Sequence, residues 1–171
     1  MEFNKELIYK IIDNKIDKIR LYGLTKQELN TLYHALNLNH SLKKIYLWNN
    51  QIEDLTLLCK SLENNSYLKE LDLSCNQIKI ITPLRFLKNN SYLEFLNLNN
   101  NKIEDITPLK YLSNSLEVLY LSSNQIKDII SLKYLSNSCL KKLWLNNNQI
   151  SNQDKQKIEK LTKLKQIKLK I

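Results

Sequence analysis

Apolar residues recur along the chain in one fixed phrase. Leu68, Leu71 and Leu73 are followed by Asn76 and Ile78, and the same spacing returns as Leu93, Leu96, Leu98, Asn101, Ile103. It continues as Leu116, Leu119, Leu121, Asn124, Ile126 and as Leu140, Leu143, Leu145, Asn148, Ile150. Upstream it reads Leu42, Ile45, Leu47, Asn50, Ile52, and partial copies bracket the series at Ile16, Ile19, Leu21 and at Leu164, Ile167, Leu169. Copies thus start near 16, 42, 68, 93, 116, 140 and 164, and a period of this size marks a repeat architecture. The alternation at the centre of each copy predicts a short strand, with its Leu or Ile residues turned inward and the residues between them turned to solvent. One copy cannot bury its apolar face alone, so neighbours stack and share a core. Seven strands ~4.8 Å apart would make a sheet roughly 29 Å long.

The return segments are also legible. Thr82-Pro83-Leu84 and Thr107-Pro108-Leu109 predict a capping Thr before a Pro at the first position of a short helix, with Leu84, Leu87, Leu109 and Leu112 facing the core. Thr25 with Glu28, and Ser151 with Asp154, read as capping boxes that open longer helices. Leu29, Leu32 and Leu36 give the first of these a buried stripe. Glu6 to Ile12 predicts a small helix with Leu7, Ile8, Ile11 and Ile12 inward. The organisation expected is an N-terminal capping helix over 1–15 and a solenoid over 16–171.

The phrase L-x-x-L-x-L-x-x-N-x-I, together with the run NKIEDITPL from Asn101 to Leu109, resembles the leucine-rich repeat family from about Ile16 to the C-terminus. The variety it is similar to occurs in bacterial internalins and in a phosphatase-regulating nuclear subunit. The resemblance implies an α/β solenoid of about seven repeats, curved, with a parallel sheet on the concave side and short helices on the convex side. It speaks for fold; what the family shares functionally is a binding surface.

Asn50, Asn76, Asn101, Asn124 and Asn148 recur where each strand bends away. Their expected role is structural: each buried amide bonds backbone groups exposed by the turn and links to the next repeat, forming a ladder. The strand positions that alternate with the core residues form the concave surface. One column reads Arg20, Tyr46, Asp72, Asn97, Tyr120, Trp144, Lys168; the column before it Lys18, Lys44, Glu70, Phe95, Val118, Lys142, Gln166; the column after it Tyr22, Trp48, Ser74, Asn99, Ser122, Asn146, Lys170. Both tryptophans fall on this set, and large aromatics held in water are enriched at interface hot spots. Tyr22, Tyr46, Trp48, Asp72, Phe95, Asn97, Tyr120 and Trp144 are therefore the expected partner-binding residues. The rings fall into two groups, Tyr46 with Trp48 and Phe95 with Tyr120 and Trp144, separated by Asp72 and Ser74. The competing explanation is that these rings only shield neighbouring strands.

Charge adds one local feature. The chain carries a net charge of +9, of which +6 lies in residues 155–171, with seven Lys and one Glu. Such an end suits nucleic acid or an anionic surface. Equally, Lys165, Lys168 and Lys170 on a last strand guard an open edge against association, and this second role is preferred. Self-association of copies through that edge is a third possibility, beside an expected monomer. Cys59, Cys75 and Cys139 are odd in number and unpaired in sequence, which fits a reducing, intracellular setting without a zinc site. The N-terminus is too acidic for a secretory signal, and no stretch approaches the ~18 apolar residues of a membrane span. Asn39, Asn64 and Asn89 open glycosylation sequons that are read as turn residues.

Catalytic patterns are missing. The single Gly23 leaves no phosphate-cradling loop. His34 and His40 have no convincing nucleophile beside them, Cys75 no activating base, and the acidic pairs Glu53-Asp54 and Glu104-Asp105 repeat as turn chemistry does. The expectation is a protein–protein interaction module, an adaptor, scaffold or inhibitor with an unidentified protein partner and no cofactor. The alternative is a nucleic-acid- or anionic-surface-binding protein using the Lys-rich C-terminal end.

Overall fold

A computed structural model describes residues 2–112, 115–137 and 139–171. Helix α1 (Lys5–Ile12) precedes strand β1 (Lys18–Arg20) and helix α2 (Lys26–Leu38). There follow β2 (Lys44–Tyr46), α3 (Thr56–Ser61), β3 (Glu70–Asp72), β4 (Phe95–Asn97), β5 (Val118–Tyr120), β6 (Lys142–Trp144), α4 (Asn152–Leu164) and β7 (Lys168–Lys170). Short 3-10 turns over Thr82–Leu87, Thr107–Leu112 and Ile130–Asn137 return the chain between β3 and β6. The seven strands form one parallel sheet in sequence order. This is the leucine-rich-repeat solenoid, one strand and one helical segment per repeat.

Strands β1 to β6 bury their central residue, β7 buries Leu169 only partly, and all leave the two neighbours at least partly exposed. Ile19, Ile45, Leu71, Leu96, Leu119, Leu143 and Leu169 therefore form one inward column across the sheet. Leu84, Leu87, Leu109 and Leu112 close the core from the helical side. Helix α2 carries the full capping box of Thr25 and Glu28 and buries Leu29, Leu32 and Leu36. Helix α1 buries Leu7 and Ile11, with Ile8 and Ile12 partly buried, and packs on α2 over the first repeat.

Each repeat must turn out of the sheet after three paired residues, and it does so through a left-handed residue. Gly23, Asn49, Cys75, Asn100, Ser123 and Asn147 all have φ between +54° and +67°. Directly after each of these except Gly23, which Leu24 follows, lies a ladder asparagine. Asn101 Nδ2 donates to the Leu98 and Leu73 carbonyls at 3.1 and 3.0 Å, and its Oδ1 accepts from the Ile78 N–H at 3.0 Å. Asn76, Asn124 and Asn148 repeat this arrangement, and Asn50 opens it against Leu21 and Leu24. The amide reaches back to the preceding repeat, which corrects the expected link to the next one. Cβ geometry explains the direction, because the bend swings the side chain under the carbonyls of the strand already laid down.

A second, unexpected ladder stands at the other end of the repeat. Asn39 Nδ2 donates to the Ile11 carbonyl at 2.7 Å, Asn65 to Leu42 at 3.1 Å and Asn90 to Asn65 at 2.9 Å. All three are buried, so Asn39 is not available as a modification site. Among the described residues, no buried side-chain nitrogen or oxygen lacks a partner.

Two expectations need correction. Thr82 and Thr107 lie inside their 3-10 turns and do not cap them: the Thr82 turn has no side-chain cap, and the Thr107 N–H donates to Asp105 Oδ1 at 2.8 Å. Asp54 and Asp128 accept the equivalent bonds from Thr56 and Ile130, so the repeated acids form Asx turns. The last repeat is also displaced by two residues. Leu169, not Ile167, pairs with Leu143, giving the same 26-residue step that separates Ile19 from Ile45. Leu164 ends α4 and is 84% exposed instead of opening a repeat. A thirteen-residue helix consumes more chain than a 3-10 turn.

Two sets of variants test this account. Asn101→Ala and Asn124→Ala each strand buried backbone groups and should cost ~1–3 kcal/mol, whereas Asn146→Ala, which loses only a bond from Ser122 Oγ, should cost clearly less in thermal melts. An added Cβ at Gly23 meets nothing within 4 Å. Gly23→Ala should therefore meet no clash and cost only the strain of a left-handed backbone, roughly 1 kcal/mol, and Ser123→Gly should shift the urea midpoint the other way.

Candidate functional site

The register fixes what the concave face presents. Lys18, Lys44, Glu70, Phe95, Val118, Lys142 and Lys168 form one column, and Arg20, Tyr46, Asp72, Asn97, Tyr120, Trp144 and Lys170 the next. Beyond the strand ends, Tyr22, Trp48, Ser74, Asn99, Ser122 and Asn146 continue the surface. Tyr22 is 56% exposed, whereas Tyr46, Trp48, Phe95, Tyr120 and Trp144 are each partly exposed. The tryptophans are neither sequestered in the core nor fully in water.

The aromatic residues contact one another across strands. Phe95 meets Tyr120 edge-on with centroids 5.5 Å apart, and Tyr120 stacks on Trp144 at 4.0 Å with the rings 16° from parallel. Lys170 Nζ covers the Trp144 ring at 5.1 Å. At the N-terminal end, Trp48 stacks on Tyr22 at 4.6 Å. Tyr46 does not join Trp48 in a ring pair. It lies beneath Arg20 and Lys18, at 5.2 and 5.4 Å, and its phenol donates to Glu70 Oε2.

Strand β3 separates the two groups with carboxylates. Glu70 Oε1 also accepts from Lys44 Nζ at 2.6 Å. Partial burial pushes the Glu70 carboxyl up, but the bonds from Lys44 and Tyr46 outweigh it and hold the group below 4.5. Burial, and then the Glu70 bond, push the Tyr46 phenol up to about 12. Asp72 accepts from the Ser74 N–H and Oγ and from Asn97 Nδ2 at 3.0 Å.

The displaced final strand changes the site. Lys170 stands beside Trp144, and Lys168 beside Lys142, where Lys168 and Gln166 were expected. The signal lay in the Ser151–Asp154 cap: a box like that of Thr25–Glu28 implies a helix of the same length and hence the same repeat length. Lys168 and Lys170 are exposed on the edge strand β7 and stand in the concave columns, so they are surface groups as much as edge guards. Lys160 and Lys163 are exposed on α4, on the helical side.

Other chemistry is dispersed. His34 is exposed on α2, and the exposed His40 only donates its backbone N–H to Asn14 Oδ1. Cys59 is buried, and burial pushes its thiol up to about 12; Cys75 and Cys139 are exposed. Among the described residues, no cluster of three His, Cys, Asp or Glu is placed to hold a metal ion, and no helix is long and apolar enough to cross a membrane. Open furrows lie between α2 and residues 50–57, and beside Lys15 and Lys43, away from the aromatic stacks.

A family model for leucine-rich repeats in two copies matches residues 40–89, 68–111, 91–137 and 114–155. The crystal structure of an internalin, inlF, from Listeria monocytogenes is 36% identical over 79% of this chain, with a TM-score of 0.63. A leucine-rich-repeat protein of Leptospira interrogans is 28% identical over 99% of the chain, with a TM-score of 0.69. This chain covers 36% and 40% of the lengths of those two proteins. Internalin C2 of the same Listeria, 24% identical over 85% of this chain and 76% of its own length, shares the fold with a TM-score of 0.54. No curated protein matches.

Glu70→Gln should lower the melting temperature at neutral pH by releasing Lys44. The Glu70 pKa is depressed on folding, so its charge stabilises fully above the carboxylate range and ceases to do so as pH falls below 4.5. Melts of both proteins should therefore converge in acid; a gap that stays constant with pH assigns the loss to packing.

Proposed function

Because the chain belongs to the leucine-rich-repeat family, we propose that it is a non-enzymatic protein-binding module, an adaptor, scaffold or inhibitor whose partner docks on the concave sheet. The fold is in general a protein–protein interaction module. The observation that supports the concave face here is its set of aromatic side chains, Tyr22, Tyr46, Trp48, Phe95, Tyr120 and Trp144, all retaining solvent exposure on one surface. Rings already stacked on neighbours lose little further freedom on binding, which lowers the cost of covering them. Asp72 and Asn97, fixed to one another, keep the polar centre in one geometry. Three free thiols suit a reducing compartment.

Affinity capture from native extract tests the reading. Tyr120→Ala and Trp144→Ala should each weaken partner retention by ~1.5–3 kcal/mol, the worth of a buried ring, while far-UV circular dichroism is kept. Undiminished capture by both folded variants overturns the concave face as the binding surface.

A further inference from the structure

The C-terminal half of the concave face differs chemically from the rest. From β4 to β7 its outward residues are Phe95, Asn97 and Asn99, then Val118, Tyr120 and Ser122, then Lys142, Trp144 and Asn146, then Lys168 and Lys170. No carboxylate stands among them. The acids bordering it are engaged: on β3, Asp72 with Asn97 at 3.0 Å and Glu70 with Lys44 at 2.6 Å, and on the rim before the strands, Glu117 with Lys141 at 2.7 Å and Glu94 with Lys69 at 3.8 Å. Among the described residues, the ammonium groups of Lys142 and Lys168 have no partner, and that of Lys170 has only the Trp144 ring. Among the described residues, the Tyr120 hydroxyl and the Trp144 indole N–H make no hydrogen bond, while the Asn99 and Asn146 side-chain oxygens accept from Ser122. What remains open on this patch is thus dominated by donors and positive charge.

Ring orientation narrows the ligand. Tyr120 and Trp144 stack on each other, and Lys170 covers Trp144. Both faces of Trp144 and one face of Tyr120 are covered, so a nucleobase has little ring face on which to stack, and stacking is the main sequence-tolerant contact of single-stranded nucleic acid. Glu70 and Asp72 would also meet any phosphate backbone that continued along the sheet. Carboxylates and carbonyls, by contrast, suit ring edges with O–H and N–H groups beside lysines.

We infer that the β4–β7 patch docks an acidic polypeptide segment, whose carboxylates meet Lys142, Lys168 and Lys170 and whose apolar side chains cover Tyr120 and Trp144. This rests on the concave-face reading and specifies its partner.

The test is fluorescence anisotropy of the intact chain at low salt with a labelled Glu- and Tyr-rich peptide, its Lys-for-Glu counterpart and single-stranded oligothymidylate. The acidic peptide should bind and the basic one should not. Lys142→Glu with Lys168→Glu should weaken binding roughly tenfold or more, while Lys160→Glu with Lys163→Glu, an equal charge change on α4, should leave it nearly unaltered. Failure of the acidic peptide to bind, tighter binding of oligothymidylate, or equal loss from both charge reversals overturns the proposal. Native-partner capture separates the two levels: loss with Trp144→Ala but not with Lys142→Glu and Lys168→Glu keeps the concave face and rejects acidic recognition, whereas retention by all three rejects both.

Discussion

The structure depends on satisfying backbone groups where the chain leaves the sheet. A strand of three residues pairs only briefly before it must bend, and the bend exposes carbonyls and N–H groups inside an apolar core. The side-chain amide of one asparagine per repeat both donates and accepts, so it can answer both kinds of group at once. Asn76 shows this most fully, donating to Leu47, Leu73 and Ser74 and accepting from Asn50 and Ile52. Without that amide, the Leu phrase would still collapse but the turns would not share one geometry.

Periodicity made the fold and most of the concave surface legible before any coordinates. Leucines that alternate with polar residues can occupy only one side of a strand, so the columns from Arg20 to Trp144 followed from spacing alone. The last column failed because Leu164-x-x-Ile167-x-Leu169 satisfies the same phrase as the true alignment, and only the length of α4 decides between them. The threonine cap at Thr107 failed for another reason: Asp105, two residues upstream, supplies a stronger acceptor and takes the bond. The Asn39–Asn65–Asn90 ladder lay hidden among turn residues, since Asn serves exposed turns and buried ladders alike and only burial separates them.

The aromatic surface shows why the two explanations weighed for its rings are not exclusive. Tyr120 against Trp144 shields neighbouring strands, as a purely structural stack would. The same contact holds both rings in one arrangement while leaving each partly exposed on the concave face. Specificity in such a site comes from what surrounds the rings. Around Tyr46 that is Arg20, Lys18 and the Glu70 carboxylate; around Trp144 it is lysine alone. The two halves of the sheet are therefore chemically distinct although built from one repeat.

The backward reach of the ladder amides gives the solenoid a polarity in time as well as in space. A polypeptide leaving the ribosome exposes its early repeats first, and every later asparagine closes its bonds on a neighbour that has already emerged. Growth of the stack can thus keep pace with synthesis, each new coil finding its template waiting.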